Sequence, residues 1–326
     1  MSGLSIAVLH GASGDRPDEI DTLRTAETVA AALTRLGHAP TLVHLAPDMA
    51  ALDRLAAAPP DLVFNLVEAV GGVAAPAAAI PARLARRGLA FTGCGARASR
   101  LCAEKPAMKR VLVRAGLPTP AWSMTRRGLP AGAPVIVKST SEHASVGIDA
   151  GSVVAAEEAG AEIVRRQARF GGRFFAEAYV EGREFNLSLV EGPAGPELLP
   201  PAEILFEGFG AARPRIVDYE AKWIEGSHGF ENTPRRFDFA PAEDALLDRL
   251  RALALAAWRA FDLDGYARVD FRVGEDGQPW ILEVNTNPCL APDAGLAAAA
   301  ARAGLGHDAL VGRIVAAARA TPRKAA

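Results

Sequence analysis

Apolar positions along the chain alternate between two kinds of run. Leu4 to Leu9 is a short, almost continuous apolar run, the mark of a buried strand. Residues 21–36 then carry apolar side chains at helical spacing and stop at Gly37. A second short strand follows (Pro40 to Leu45), then a helical piece near 48–57 and a third strand, Leu62-Val63-Phe64-Asn65-Leu66. Strands alternating with helices predict a parallel sheet covered by helices, in a unit that ends near residue 95, after Phe91-Thr92-Gly93. A helix through 104–115 stops at Gly116, and Pro118-Thr119-Pro120 makes a stiff connection. A β-rich stretch comes next: Pro134 to Lys138, a loop holding Gly147 and Gly151, a helix near 155–168, and Phe174-Phe175-Ala176-Glu177. Strands at 184–190 and 198–205, a long polar loop, a helix at 242–260, a hairpin over 266–285 and terminal helices complete the chain. The expected class is α/β (α+β) in three units, 1–95, 96–182 and 183–326, with an active-site loop over 203–235 in the third.

Composition narrows the partners. Of 326 residues half are hydrophobic and 23% charged, the balance of a folded globular chain with room for two or three cores. The net charge is −2 with no basic run, so no nucleic-acid partner is expected, and phosphate binding would rest on a few placed residues. The Arg323-Lys324 pair reads as a solvated tail. Cys94, Cys102 and Cys289 lack metal-type spacing and do not suggest a disulfide framework. Leu4 to Leu9 has no basic segment ahead of it and reads as a strand rather than a signal peptide. Ala-rich segments such as 294–303 fall short of the ~18 apolar residues a membrane span needs. A cytoplasmic location is the simplest expectation.

The hairpin carries the clearest chemistry. Tyr266-Ala-Arg268-Val-Asp270-Phe-Arg272-Val and Gln278-Pro-Trp280-Ile-Leu282-Glu283-Val-Asn285 flank a loop from Gly274 to Gly277. With Val273 facing Gln278, Arg268 faces Glu283. Alternation puts Val269, Phe271, Val273, Trp280, Leu282 and Val284 on one face and Arg268, Asp270, Glu283 and Asn285 on the other. Two carboxylates and an amide oxygen suit a hard cation such as Mg²⁺ bound with nucleotide phosphates. Arg268 could neutralise charge on a transferring group. The competing reading is an exposed sheet face with a weak Arg–Glu pair.

Lys138 ends an apolar strand, and a buried lysine needs a partner. The small-residue loop after it, with Ala144, Ser145 and Gly147, could cradle phosphates with backbone N–H groups, or be a plain surface turn. No Gly-x-x-x-x-Gly-Lys-Ser/Thr loop exists, which excludes a P-loop enzyme, and no His-Arg-Asp loop supports a protein kinase. The segment Glu177-Ala178-Tyr179-Val180, followed by Glu184, could present backbone groups and a carboxylate to an adenine and a ribose. A solvated connector is the alternative there.

In register, these blocks resemble the D-alanine–D-alanine ligase branch of the ATP-grasp superfamily over nearly the whole chain. The resemblance adds Phe91 to Gly95, Glu104-Lys105-Pro-Ala-Met-Lys109 before Ala115 to Pro120, and Asp218-Tyr-Glu-Ala-Lys222-Trp223 as a loop over the active site. It implies an ATP-grasp fold with ATP between two β-rich units. It implies Lys105, Lys138 and Ser145 at the phosphates, Glu177 to Val180 at the adenine and Glu184 at the ribose. Asp270, Glu283 and Asn285 would hold two Mg²⁺ ions, with Mn²⁺ a substitute. Arg268 would stabilise the tetrahedral intermediate, and Lys222 would reach the γ-phosphate. The activity implied is ligation of a small-molecule carboxylate to an amine through an acyl phosphate, and a homodimer follows from the resemblance alone.

The departures fall on the substrate side. A family serine is Ala144, a tyrosine is Trp223, a glycine is Cys289, the serine for the second carboxylate is Ala294, and a histidine is Glu68. Asp21 and Glu19 stand near the family's first-loop glutamate. Missing hydrogen bonds to a buried carboxylate cost ~1–3 kcal/mol each, enough to change substrate choice. The expectation is therefore a ligase for a pair other than two D-alanines, with Glu68 reading an ammonium group. The alternatives are a genuine D-alanine–D-alanine ligase and a non-catalytic ATP-binding protein. His143 reads as a bystander and Cys289 as a packed residue rather than a nucleophile.

Overall fold

The structure is a computed structural model that describes residues 3–320 except 13, 126, 130, 211 and 212. The Arg323-Lys324 pair lies outside the described residues, as do positions 211 and 212 of the active-site loop.

The first unit is built on a parallel sheet of order β2-β1-β3, with β1 (Ser5–His10), β2 (Ala39–His44) and β3 (Leu62–Asn65). Its helices are α1 (Pro17–Arg35), α2 (Ala50–Ala57) and α3 (Ile80–Arg86). Proline at the first turn of α1 fixes φ where no N–H partner is needed, and Asp18 and Glu19 complement the helix dipole there. Two helices the apolar pattern did not separate follow, α4 (Ala96–Ala103) ahead of the expected α5 (Lys105–Arg114).

A small antiparallel sheet of order β4-β7-β5-β6 comes next, from β4 (Trp122–Ser123), β5 (Pro134–Ser139), β6 (Val153–Ala155) and β7 (Phe174–Ala178). Helix α6 (Ala159–Phe170) covers it, burying Ala159 and Ile163 against Val135, Val137, Phe174 and Ala176. The larger antiparallel sheet is made of β8 (Gly182–Gly192), β9 (Gly195–Leu198), β10 (Ala202–Ile204), β11 (Arg235–Arg236), β12 (Tyr266–Gly274) and β13 (Pro279–Asn285). What reads as a long polar loop holds two short helices, α7 (Tyr219–Trp223) and α8 (His228–Glu231), capped by Asp218 and Ser227.

Helix α9 (Asp244–Phe261) buries Leu247, Leu250, Ala254, Trp258 and Phe261, an i, i+3, i+7 stripe, under the apolar face of β8 and β12. The terminal helices α10 (Gly295–Arg302) and α11 (His307–Ala320) pack elsewhere. Leu296, Leu310, Val311 and Ile314 share one core with Ile6, Val8, Val29 and Leu33 of the first unit. Gly265 permits the junction, because φ is +65° and a Cβ there would meet the backbone of Gly93 at 3.3 Å.

Candidate active site

The large sheet sets the floor of a cleft of about 750 Å³. Strand β12 lies between β8 and β13, and side chains alternate faces. Its partners align three polar rows: Glu184 beside Arg272, Asn186 beside Asp270 beside Glu283, and Ser188 beside Arg268 beside Asn285. The expected opposition of Arg268 and Glu283 is therefore wrong by two positions. The turn shifts the register by one, pairing Val273 with Pro279, and a β-bulge between Asp270 and Phe271 shifts it by one more. Two shifts restore parity, so Arg268, Asp270, Glu283 and Asn285 still share the cleft side. Between turn and bulge the parity is inverted: Ile281 is buried in the core, whereas Trp280 is half-buried and Leu282 lines the cleft.

Each carboxylate of this floor is answered by cations or an amide. Arg268 donates to Asp270 at 2.7 and 2.9 Å, and the Asn186 amide donates to it at 2.8 Å. Burial pushes the Glu283 carboxyl up, but Lys105, His143 and Lys222 outweigh it and hold it well below the usual range. Lys105 lies 3.4 Å from Glu283, and His143 Nδ1 lies 3.2 Å from it, a contact the sequence did not suggest. Among the described residues no three His, Cys, Asp or Glu side chains gather as a self-sufficient metal cage. Two adjacent carboxylates and an amide fit Mg²⁺ that takes its remaining ligands from phosphate and water.

The opposite wall comes from the small sheet. Glu177 on β7 is buried, with one carboxylate oxygen ion-paired to Lys109 and the other 2.6 Å from Lys138. The expected adenine contact thus meets a carboxylate that already holds two ammonium groups. Ala178, Tyr179 and Val180 line the cleft beside it. Burial pushes the Tyr179 hydroxyl up to about 12, and it accepts from Arg215 N at 3.0 Å. Glu184 lies 3.3 Å from Arg272, a buried guanidinium absent from the expected site. Asn186, Arg272 and Lys109 received no role from the motifs because their contacts come from register and packing, not spacing along the chain.

The phosphate loop is stiffened from below and roofed from above. Arg166 on α6 donates to the Gly147 carbonyl at 2.7 Å and pairs with Asp149 and Glu162 at 2.6 Å. Ala144 and Ser145 both adopt left-handed φ, 56° and 60°, unusual for side-chain-bearing residues. The Ser145 hydroxyl, expected at a phosphate, donates to the Val217 carbonyl at 2.7 Å. Tyr219 N donates to Ile148 O at 3.1 Å and the Trp223 indole to Ala144 O at 2.9 Å, so the lid rests on the loop through backbone acceptors. Lys222 on that lid points into the cleft without an ion-pair partner among the described residues. Withdrawal from bulk water and then Arg268 lower its pKa.

The first unit closes the cleft with the carboxyl ends of its strands and the start of α1, where ligands of parallel sheets usually sit. Glu68 follows β3, and the Asn287 amide holds the neighbouring Val67 carbonyl at 3.3 Å. Glu68 is half-buried, lines the cleft and has no hydrogen bond or ion pair among the described residues. Burial, then Asp21, raises its pKa to about 7. Asp21 accepts from the Cys289 thiol at 3.3 Å and its pKa is raised by burial. Burial pushes the Cys289 thiol up to about 12, which fits a packed residue, not a nucleophile. Ala294 lines the cleft beside the start of α10, and Arg235, unanticipated, donates to Asp293 O at 2.7 Å nearby.

A cleft between two antiparallel sheets, roofed by a lid that carries a lysine toward a hairpin of paired carboxylates, belongs to the ATP-grasp class of ligases. The family model described as D-ala D-ala ligase C-terminus matches residues 115–316. A D-alanine–D-alanine ligase of Gloeobacter violaceus is 33% identical over 96% of this chain and 98% of its own length. One from an Anaeromyxobacter species is 32% identical over 96% of each. A crystal structure of the Bacillus anthracis D-alanine–D-alanine ligase complexed with ATP superposes with a TM-score of 0.76 at 22% identity, covering 98% and 99% of the two chains. The chain belongs to the D-alanine–D-alanine ligase family, and it is an ATP-dependent, ADP-forming C–N ligase that uses Mg²⁺. The reading as a non-catalytic ATP-binding protein is set aside by that membership, and the expectation of a pair other than two D-alanines draws no support from these relatives. No helix among the described residues is long and apolar enough to cross a membrane.

Proposed function

We propose that this enzyme joins two D-alanines through an acyl phosphate. The observation that carries the reading is the similarity, along 96% of the chain, to relatives that bear that name. In this reading the carboxylate of the first amino acid attacks the γ-phosphoryl, ADP leaves, and the amine of the second displaces phosphate. Lys105 and Lys138 hold the phosphates, and Lys222 meets the transferring group from the lid. Asp270, Glu283 and Asn285 would hold Mg²⁺, which would neutralise phosphate charge when bound. Arg268, fixed by Asp270, faces the developing oxyanion as a preorganised donor. The lid latch excludes water from the acyl phosphate. A cytoplasmic homodimer belongs to the same reading.

A second reading, in which one partner is not D-alanine, is favoured by the substrate wall: Glu68 has no hydrogen bond or ion pair among the described residues, and Ala294 offers no hydroxyl. ADP release with D-alanine alone, compared with D-alanine plus other amino acids, hydroxy acids or amines, separates the two. Turnover at millimolar D-alanine supports the first; turnover only with a mixed pair overturns it.

A further inference from the structure

Lys109 is completely buried and does not line the cleft, yet it occupies the centre of a bonded chain that joins the cleft's two sheets. Its ammonium donates to Thr119 Oγ1 at 2.8 Å, and Thr119 donates to the Ile281 carbonyl at 2.8 Å, two residues before Glu283. On its other side it pairs with Glu177, whose second oxygen holds Lys138 at 2.6 Å. Backbone reinforces the crossing, with Ile281 N donating to Pro118 O at 2.8 Å. We propose that Lys109 is a positioning residue for the nucleotide. Through Glu177 it sets the Lys138 ammonium in the path of the phosphates, and through Thr119 it ties that lysine to the strand bearing the metal-binding carboxylate.

The charge count explains why a second lysine is needed. A single lysine would satisfy Glu177. Two lysines on one carboxylate leave one positive charge in excess, and only Lys138 reaches the cleft to present it. An ammonium has three N–H donors, so Lys138 keeps two for phosphate oxygens after bonding Glu177. Without Lys109 the full carboxylate charge falls on Lys138 and draws it toward β7, away from the ligand. Lys109 would then govern ATP affinity without touching ATP.

The test measures ATP and ADP affinity directly, by calorimetry on the full chain, and so does not depend on which acids are joined. Lys109→Met should weaken ATP binding tenfold or more and raise KM for ATP in parallel, with KM for the amino acid unchanged. Lys109→Arg should recover at least half of the loss in logarithmic terms. In a Lys138→Met background the Lys109→Met change should add less than twofold, because its route to the nucleotide is already cut. A folded Lys109→Met protein that binds ATP within twofold of wild type overturns the proposal, as does a fully additive double variant. If Lys109→Met does not fold, Thr119→Val decides: a loss of threefold or more supports the link to β13, and unchanged affinity removes it. Wild-type protein that fails to bind ATP would count against the cleft assignment itself, a distinct outcome.

Discussion

The nucleotide half of the cleft and its substrate wall are built on opposite electrostatic terms. In the nucleotide half Glu177, Glu184, Asp270 and Glu283 each hold a partner within 3.4 Å, so the geometry is fixed before any ligand arrives. On the substrate side Glu68 holds none among the described residues, and Asp21 holds only a thiol. Paired groups preserve position; unpaired ones in a half-buried wall cost free energy until a ligand of opposite charge supplies the missing partner. The first half is therefore preset for its ligand, whereas the second is completed by one.

The comparison breaks first at Glu283. Glu283→Gln keeps the shape but not the charge that balances Lys105, so ADP release should fall by at least ~10²–10³ with the circular dichroism spectrum unchanged. Near-normal turnover would end the metal assignment. Glu68 gives the next largest effect and a sign. Its carboxyl is raised to about 7 from 4.5, so the folded state binds more protons than the unfolded between those values. Wild-type stability should thus decline as pH rises through that window. Glu68→Gln should remove the decline and gain on the order of 1–3 kcal/mol at pH 8 relative to pH 5. Equal thermal shifts at the two pH values would contradict the raised Glu68 carboxyl. The smallest effect is at the lid, where Trp223→Phe removes one indole bond worth about 0.5–1.5 kcal/mol. Closure should weaken and kcat/KM fall by up to about tenfold; an unchanged value would mean that the latch does not limit turnover.

The fold was largely legible because its elements are written in local periods: the α1 stripe, the alternation in β12 and the stop at Gly116 each need only neighbouring residues. The floor of the site was legible for the same reason, since Arg268 and Asp270 are two apart on one strand. Its exact pairing was not. The bulge at Asp270 leaves no mark in composition, and only the doubled shift kept Glu283 on the cleft side. The contacts of Asn186, Arg272 and Lys109 could not be read because sheet register and helix packing bring their partners in from far along the chain. Glu68 could be named from a departure in pattern, but that no hydrogen bond or ion pair reaches it among the described residues needed three dimensions.

The core shared by the first sheet and the terminal helices has a consequence for how the chain is made. Ile6, Val8 and Leu33 find Leu310, Val311 and Ile314 only after nearly everything between them has been synthesised. The opening segment must wait on the ribosome with an uncovered apolar side, while the middle sheets, whose contacts are nearer in sequence, can assemble ahead of it. Truncation before α11 would accordingly damage the part of the molecule farthest from it in sequence, and with it the wall that holds Glu68.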